Sequence, residues 1–139
     1  MKHYRRFFAL VLAGALLLAC AACGGGGVRM SFGKSDLFSE DEIKSAADAV
    51  IEKFNSDFTG CTMTKLWYDE AVSTDALGRK NLHSEDDLDP DNSILLLCNF
   101  TTSADLGPFE PNSTYRQWAW TLVRENPDSD WIIQNYGYG

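Results

Sequence analysis

The stretch FSEDEIKSAADAVIEKFNSDF, Phe38 to Phe58, constrains the fold most. Ile43, Ala47, Val50, Phe54 and Phe58 recur at helical spacing and make one apolar stripe. Ser39 followed three residues later by Glu42 has the form of a capping box. Glu40, Asp41 and Glu42 suit the positive end of a helix dipole. Phe38 is placed to staple onto the first turn, and Gly60 ends the helix. A helix with a single apolar stripe has to lie on something apolar.

Beyond Gly60 the chain turns strand-like. CTMTKLWYDE, Cys61 to Glu70, is rich in β-branched and aromatic residues. SILLLCNFTTS, Ser93 to Ser103, is apolar on both faces in its middle, as an interior strand is. TYRQWAWTLVRE, Thr114 to Glu125, alternates: Trp118, Trp120 and Leu122 share one face, and Gln117, Ala119, Thr121 and Val123 the other. NPDSD, Asn126 to Asp130, reads as a turn, and WIIQNYGY, Trp131 to Tyr138, as the returning strand of a hairpin. Ala71 to Lys80 reads equally as a short helix or a loop, and Asn81 to Asn92 as an acidic loop. The expected fold is α+β: one N-terminal amphipathic helix packed on a curved four-stranded antiparallel sheet.

The N-terminus addresses the chain. MKHYRR is a cationic start, and Phe7 to Ala19 is an apolar run of 13 residues. A membrane span needs about 20 apolar residues, so this run fits the core of a signal peptide. In LLLACAACGGGG, Leu16 to Gly27, small residues precede each of two cysteines, as in the lipobox of bacterial lipoproteins. Ala21, Ala22 and the glycines after Cys23 favour that cysteine as the lipidated residue, with Cys20 the alternative because of Leu17. The chain divides into a signal with lipobox over 1–23, a Gly-rich tether over 24–36 and a globular domain over 37–139. A doubly acylated cysteine anchors a domain stably. The expected location is the outer face of a bacterial membrane.

Charge excludes one class of partner. The chain has a net charge of −8, and the part beyond Cys23 holds 9 basic and 20 acidic residues, a net −11. Such a domain repels phosphate backbones, so no nucleic-acid partner is expected.

The segments FSEDEIKSAADAVIEKF, GCTMTKLWYDE, NSTYRQWAWTLVRE and WIIQNYGYG resemble small lipoproteins of Gram-positive, largely gut, bacteria. The resemblance covers most of Phe38 to Gly139 and implies a cystatin-like or NTF2-like roll. It brings no activity and no catalytic residues. The QxVxG loop of cystatins is missing, so protease inhibition does not carry over.

Motifs for chemistry are scarce. The sequence has no P-loop, GxGxxG, HExxH or GxSxG, so neither a cofactor nor a catalytic set is expected. His83 is the only histidine beyond the signal and reads as a solvated loop residue. Asp87, Asp89 and Asp91 keep the alternate spacing of a calcium loop, but Asn92 stands where that loop needs Gly and Cys98 where it needs Glu. They are weak metal candidates in a solvated acidic loop. Cys61 and Cys98 lie on separate expected strands and are a possible disulfide. An enzymatic pocket built on Tyr68 and Asp69 is disfavoured, since neighbours in a strand face opposite ways. One helix covers only one sheet face. Trp67, Trp118, Trp120, Tyr136 and Tyr138 are therefore candidates for an exposed aromatic binding surface. The expected function is a non-enzymatic interaction module at the cell envelope, meeting a protein, peptide or glycan. A structural or inhibitory partner of an envelope enzyme, or an NTF2-like enzyme, is the alternative.

Overall fold

The computed structural model describes residues 27–83, 87–104 and 107–138. In chain order the elements are β1 (Arg29–Phe32), α1 (Glu40–Asp57), β2 (Cys61–Tyr68), α2 (Glu70–His83), β3 (Ser93–Thr102), β4 (Thr114–Val123) and β5 (Ile132–Gly137). The fold is α+β, with a five-stranded mixed sheet in the order β1-β2-β3-β4-β5. β1 runs parallel to β2, and every other neighbouring pair is antiparallel.

Two expectations need correction. The sheet has five strands rather than four, because Arg29–Phe32, expected in the tether, pairs with Lys65–Tyr68. Four residues with three exposed side chains have too weak a pattern to read as a strand; backbone pairing along the β2 edge is what orders them. There are also two helices rather than one. Residues 71–80 lie within α2, which runs on through Asn81 to His83. Asp69 starts it, its Oδ1 accepting the Val72 N–H at 3.1 Å and its carbonyl the Ser73 N–H at 2.8 Å.

α1 forms where its stripe predicts. Ile43, Ala46, Ala47, Val50 and Phe54 are buried, and the Ser39 hydroxyl accepts the Glu42 N–H at 3.2 Å. The capping box is only half made. The Glu42 carboxylate meets the Ser39 hydroxyl at 3.3 Å, while its other oxygen pairs with Arg124 at 2.9 Å. Phe38 is buried and stacks edge-on with Tyr68 and Trp131. Gly60, at φ 76°, makes the left-handed turn into β2.

The helices cover opposite faces of the sheet. Under α1 lies the main core, with Leu66, Ile94, Leu96, Cys98, Phe100, Trp120 and Leu122. Under α2 lies a smaller one of Leu77, Leu88, Leu95 and Ala119. β3 is thus apolar on both faces, as its sequence predicts. A buried side chain of this size contributes roughly 1.5–3 kcal/mol, so the main core carries most of the stability.

Two bulges meet at Asn99. Thr64 is the extra residue of β2, and Arg116–Gln117 together oppose Asn99 from β4. Gln117 takes φ 55°, and its N–H donates to Asn99 Oδ1 at 3.0 Å. The Thr64 hydroxyl donates to the Asn99 carbonyl at 3.2 Å. Bulges bend a sheet, and this pair turns Tyr115 and Trp118 onto the α1 face together.

Candidate functional site

The two ends of the sheet differ in chemistry. One end holds the C-terminus of α1, the starts of β2 and β4 and the finish of β3. Here Phe58, Phe100, Phe109, Tyr115, Trp118, Trp120, Tyr136 and Tyr138 form one network of ring contacts. Phe58 sits at its centre, 5.4 Å from Trp120 and 5.5 Å from Tyr136. Tyr115 stacks on Phe100 at 4.9 Å with the rings 2° from parallel. The network grades from buried to open. Phe100 and Trp120 are enclosed, Phe109, Tyr115 and Trp118 are half-buried, and Tyr136 and Tyr138 are 41% and 63% exposed.

Of the aromatic residues expected at a surface, three meet here. Trp118, on the α1 side, contacts both Tyr136 and Tyr138. Trp120 is a correction: it is fully buried and belongs to the core, because it faces α1 at the middle of β4. Its indole N–H donates to Cys98 Sγ at 3.2 Å. Trp67 lies apart. Leu66 beside it packs under α1, so Trp67 takes the opposite face, where the Lys65 ammonium sits 4.6 Å from its ring centroid. Sequence reasoning missed Tyr115 and Phe109. Strict alternation puts Tyr115 on the face away from Trp118, and only the bulge brings them together. The Trp118 Nε1 is buried and meets no acceptor among the described residues.

The other end of the sheet is acidic. The connections there, over 33–39, 69, 87–92 and 124–131, carry eight carboxylates and two cations among the described residues. At the aromatic end, 58–60, 103–104 and 107–113 carry one charge, Glu110. Arg124 organises the acidic end. Its side chain is 4% exposed, and its guanidinium lies 4.4 Å from the Trp131 centroid and 5.5 Å from that of Phe38. It pairs with Glu42 and donates to the Asp91 carbonyl and Asn92 Oδ1.

Glu70 closes a smaller arrangement. Its carboxylate accepts from the Ser35 hydroxyl and from the Asp36 and Leu37 N–H groups at 3.1 and 3.2 Å. These donors, Ser35 first, hold the Glu70 carboxyl below the usual carboxylate range. Tyr68, Asp69 and Glu70 border an open depression of about 670 Å³ with Gly33, Lys34 and Thr74. Asp69 lies beyond the end of β2, so strand alternation does not separate it from Tyr68. Burial raises the Tyr68 hydroxyl, and Asp69 is engaged in capping α2. That leaves no poised acid–base pair in the depression.

The remaining candidates resolve singly. The disulfide is excluded: Cys61 faces Thr102 across the β2–β3 ladder while Cys98 faces Leu66, and both thiols are free. Four residues of β3 separate Cys98 from Thr102, roughly 13 Å along a strand, against the ~7 Å a disulfide spans. Asp89 is turned inward on its own loop, accepting from the Asp91 N–H at 3.0 Å and from Asn92 Nδ2 at 2.7 Å. Among the described residues no three His, Cys, Asp or Glu side chains gather as a metal site. His83 closes the last turn of α2, exposed, rather than lying in a loop. Cys20 and Cys23 lie outside the described residues. No helix among the described residues is long and apolar enough to cross a membrane. No protein-family model, curated protein or solved structure matches the chain.

Proposed function

We propose that the chain is a lipid-anchored interaction module at the outer face of a bacterial membrane, without enzymatic activity. Signal and lipobox supply the address, with Cys23 the anchored residue. The domain has the character of a cystatin-like roll, a reading supported by one long helix packed across consecutive antiparallel strands. The contact surface of the module is the aromatic end, where Tyr136 and Tyr138 stand open over half-buried Trp118, Tyr115 and Phe109. This graded patch is the observation that carries the reading. Aromatic side chains join large apolar area to a polar tip, which suits a surface that is wet until it is occupied. Its partner belongs to the envelope: lipid, protein, peptide or glycan.

Fractionation tests the reading. The full chain, made in a bacterium that processes lipoproteins, is expected in the membrane fraction. The double variant Cys20→Ser/Cys23→Ser is expected in the soluble fraction. Wild type in the cytosol, or a double variant still held in the membrane, contradicts the anchor. Tyr136→Ser/Tyr138→Ser should fold as wild type and lose whatever contact the anchored domain makes.

A further inference from the structure

We infer that the aromatic end lies against the lipid surface that holds the anchor, with Tyr136 and Tyr138 at the headgroup boundary. This orientation rests on the lipid-anchor reading and names the partner of the same surface.

Three independent observations converge on it. The first is direction. β1 runs parallel to β2, and β2 begins at the aromatic end, so the chain arrives at Arg29 from that end. Val28 packs against the main core, as do Phe109, Tyr115 and Trp118. The second is length. From Cys23 to Arg29 is six residue steps, at most about 20 Å when fully extended. Arg29 pairs with Lys65, four residues or roughly 13 Å inside that end, so a tether arriving from there reaches at most about 7 Å beyond it. The third is charge. A domain of net −11 is repelled by anionic lipid unless its acids point away. Among the described residues the connecting segments divide that way, with one carboxylate at the aromatic end and eight at the far end, while Asp57 at the end of α1 is paired with Lys53. Arg116 stands exposed near the start of β4 at the aromatic end, and Arg29 stands exposed midway along β2, opposite Lys65.

The surface itself fits a lipid boundary. Tyrosine sits at membrane interfaces because the ring enters the apolar zone while the hydroxyl stays near water. Ser103, Asn112, Ser113 and Thr114, at the same end of the sheet, add neutral polar groups that headgroups can bond.

The test uses the full chain, acylated in a bacterial host, with acylation verified by intact mass. It is reconstituted into phosphatidylcholine vesicles with or without bromine on the acyl chains. Bromine quenches only indoles that approach the acyl zone. Wild-type emission is expected to be dimmer in brominated vesicles. Trp118→Phe should lose most of that difference and Trp131→Phe, altered at the acidic end, should keep it. Tyr138→Trp, altered at an exposed position, should enlarge it, and this variant tests the orientation even where Trp118→Phe fails to fold. Acylated protein equally bright in both vesicles overturns the orientation and leaves the anchor standing, as does quenching lost with Trp131→Phe. A chain without acyl groups overturns the anchor and the orientation with it.

Discussion

At Arg124 a nearly enclosed guanidinium is held by a carboxylate, a carbonyl, an amide oxygen and two rings. These partners belong to α1, the segment before it, the turn before β3 and the segment before β5, so one side chain ties four parts of the acidic end together. Arg124→Ala is expected to lower stability by about 2–4 kcal/mol, since it removes a pair and strands buried acceptors. Urea midpoints measure it, and a change within about 0.5 kcal/mol would place that end's stability elsewhere. The two strand cysteines make a second prediction. Burial pushes the Cys98 thiol up to about 11, against a weaker upward push at Cys61. A thiol raised that far and fully enclosed, as Cys98 is, is protonated and out of reach at pH 8. Cys61, half-exposed, should be alkylated in the native protein, and Cys98 only after unfolding. Reductant should leave their combined mass unchanged.

The elements differ in how legibly the sequence announces them. α1 has a cap, a stripe and a stop, and β4 alternates from Trp118 onward, so there local pattern and tertiary role agree. α2 lacks that agreement. Val72 and Leu82 face water at 42% and 80% exposure, and Gly78 interrupts the middle, so no clean stripe marks its buried side. Only Ser73 and Leu77 are buried, and Ser73 ties the helix to the sheet by accepting the Leu95 N–H at 3.0 Å. A Cβ at Gly78 would meet nothing within 4 Å, so Gly78→Ala should stabilise the protein by roughly 0.5–1 kcal/mol. Thermal unfolding checks this, and a lower midpoint would mean that the glycine is needed. β1 is illegible in the sequence because its order comes from β2 and from Glu70 rather than from its own residues. The aromatic patch is half legible, since the bulge at Asn99 decides which rings share a face. The lowered Glu70 carboxyl predicts acid behaviour. A carboxyl held below its unfolded value adds stability above that value and loses it as pH falls through the folded one. The amides of segment 33–38 should therefore lose protection relative to their intrinsic exchange rates as the Glu70 carboxyl is protonated in acid, and Glu70→Gln should cause the same loss at neutral pH. Unchanged exchange in both would leave the latch without effect.

At the scale of the whole molecule, the domain is polar in two senses. Among the described residues the carboxylates of its connecting segments are gathered at one end and its exposed tyrosines lie toward the other, and β1 runs from the ringed end toward the acidic one. Each of these is a consequence of local facts: acidic turns before β3 and β5, a bulge that gathers aromatics, and a parallel edge strand that fixes the tether's direction. Such a domain is suited to standing on a membrane with its acids toward water. That stance depends on the covalent anchor. Intact mass spectrometry of the mature chain, extracted with detergent from membranes of a lipoprotein-processing bacterium, tests the anchor most directly. The expected product is a chain that begins at Cys23 and carries acyl groups on that residue. A chain beginning at Met1, or one cleaved after the signal without acyl groups, would contradict it.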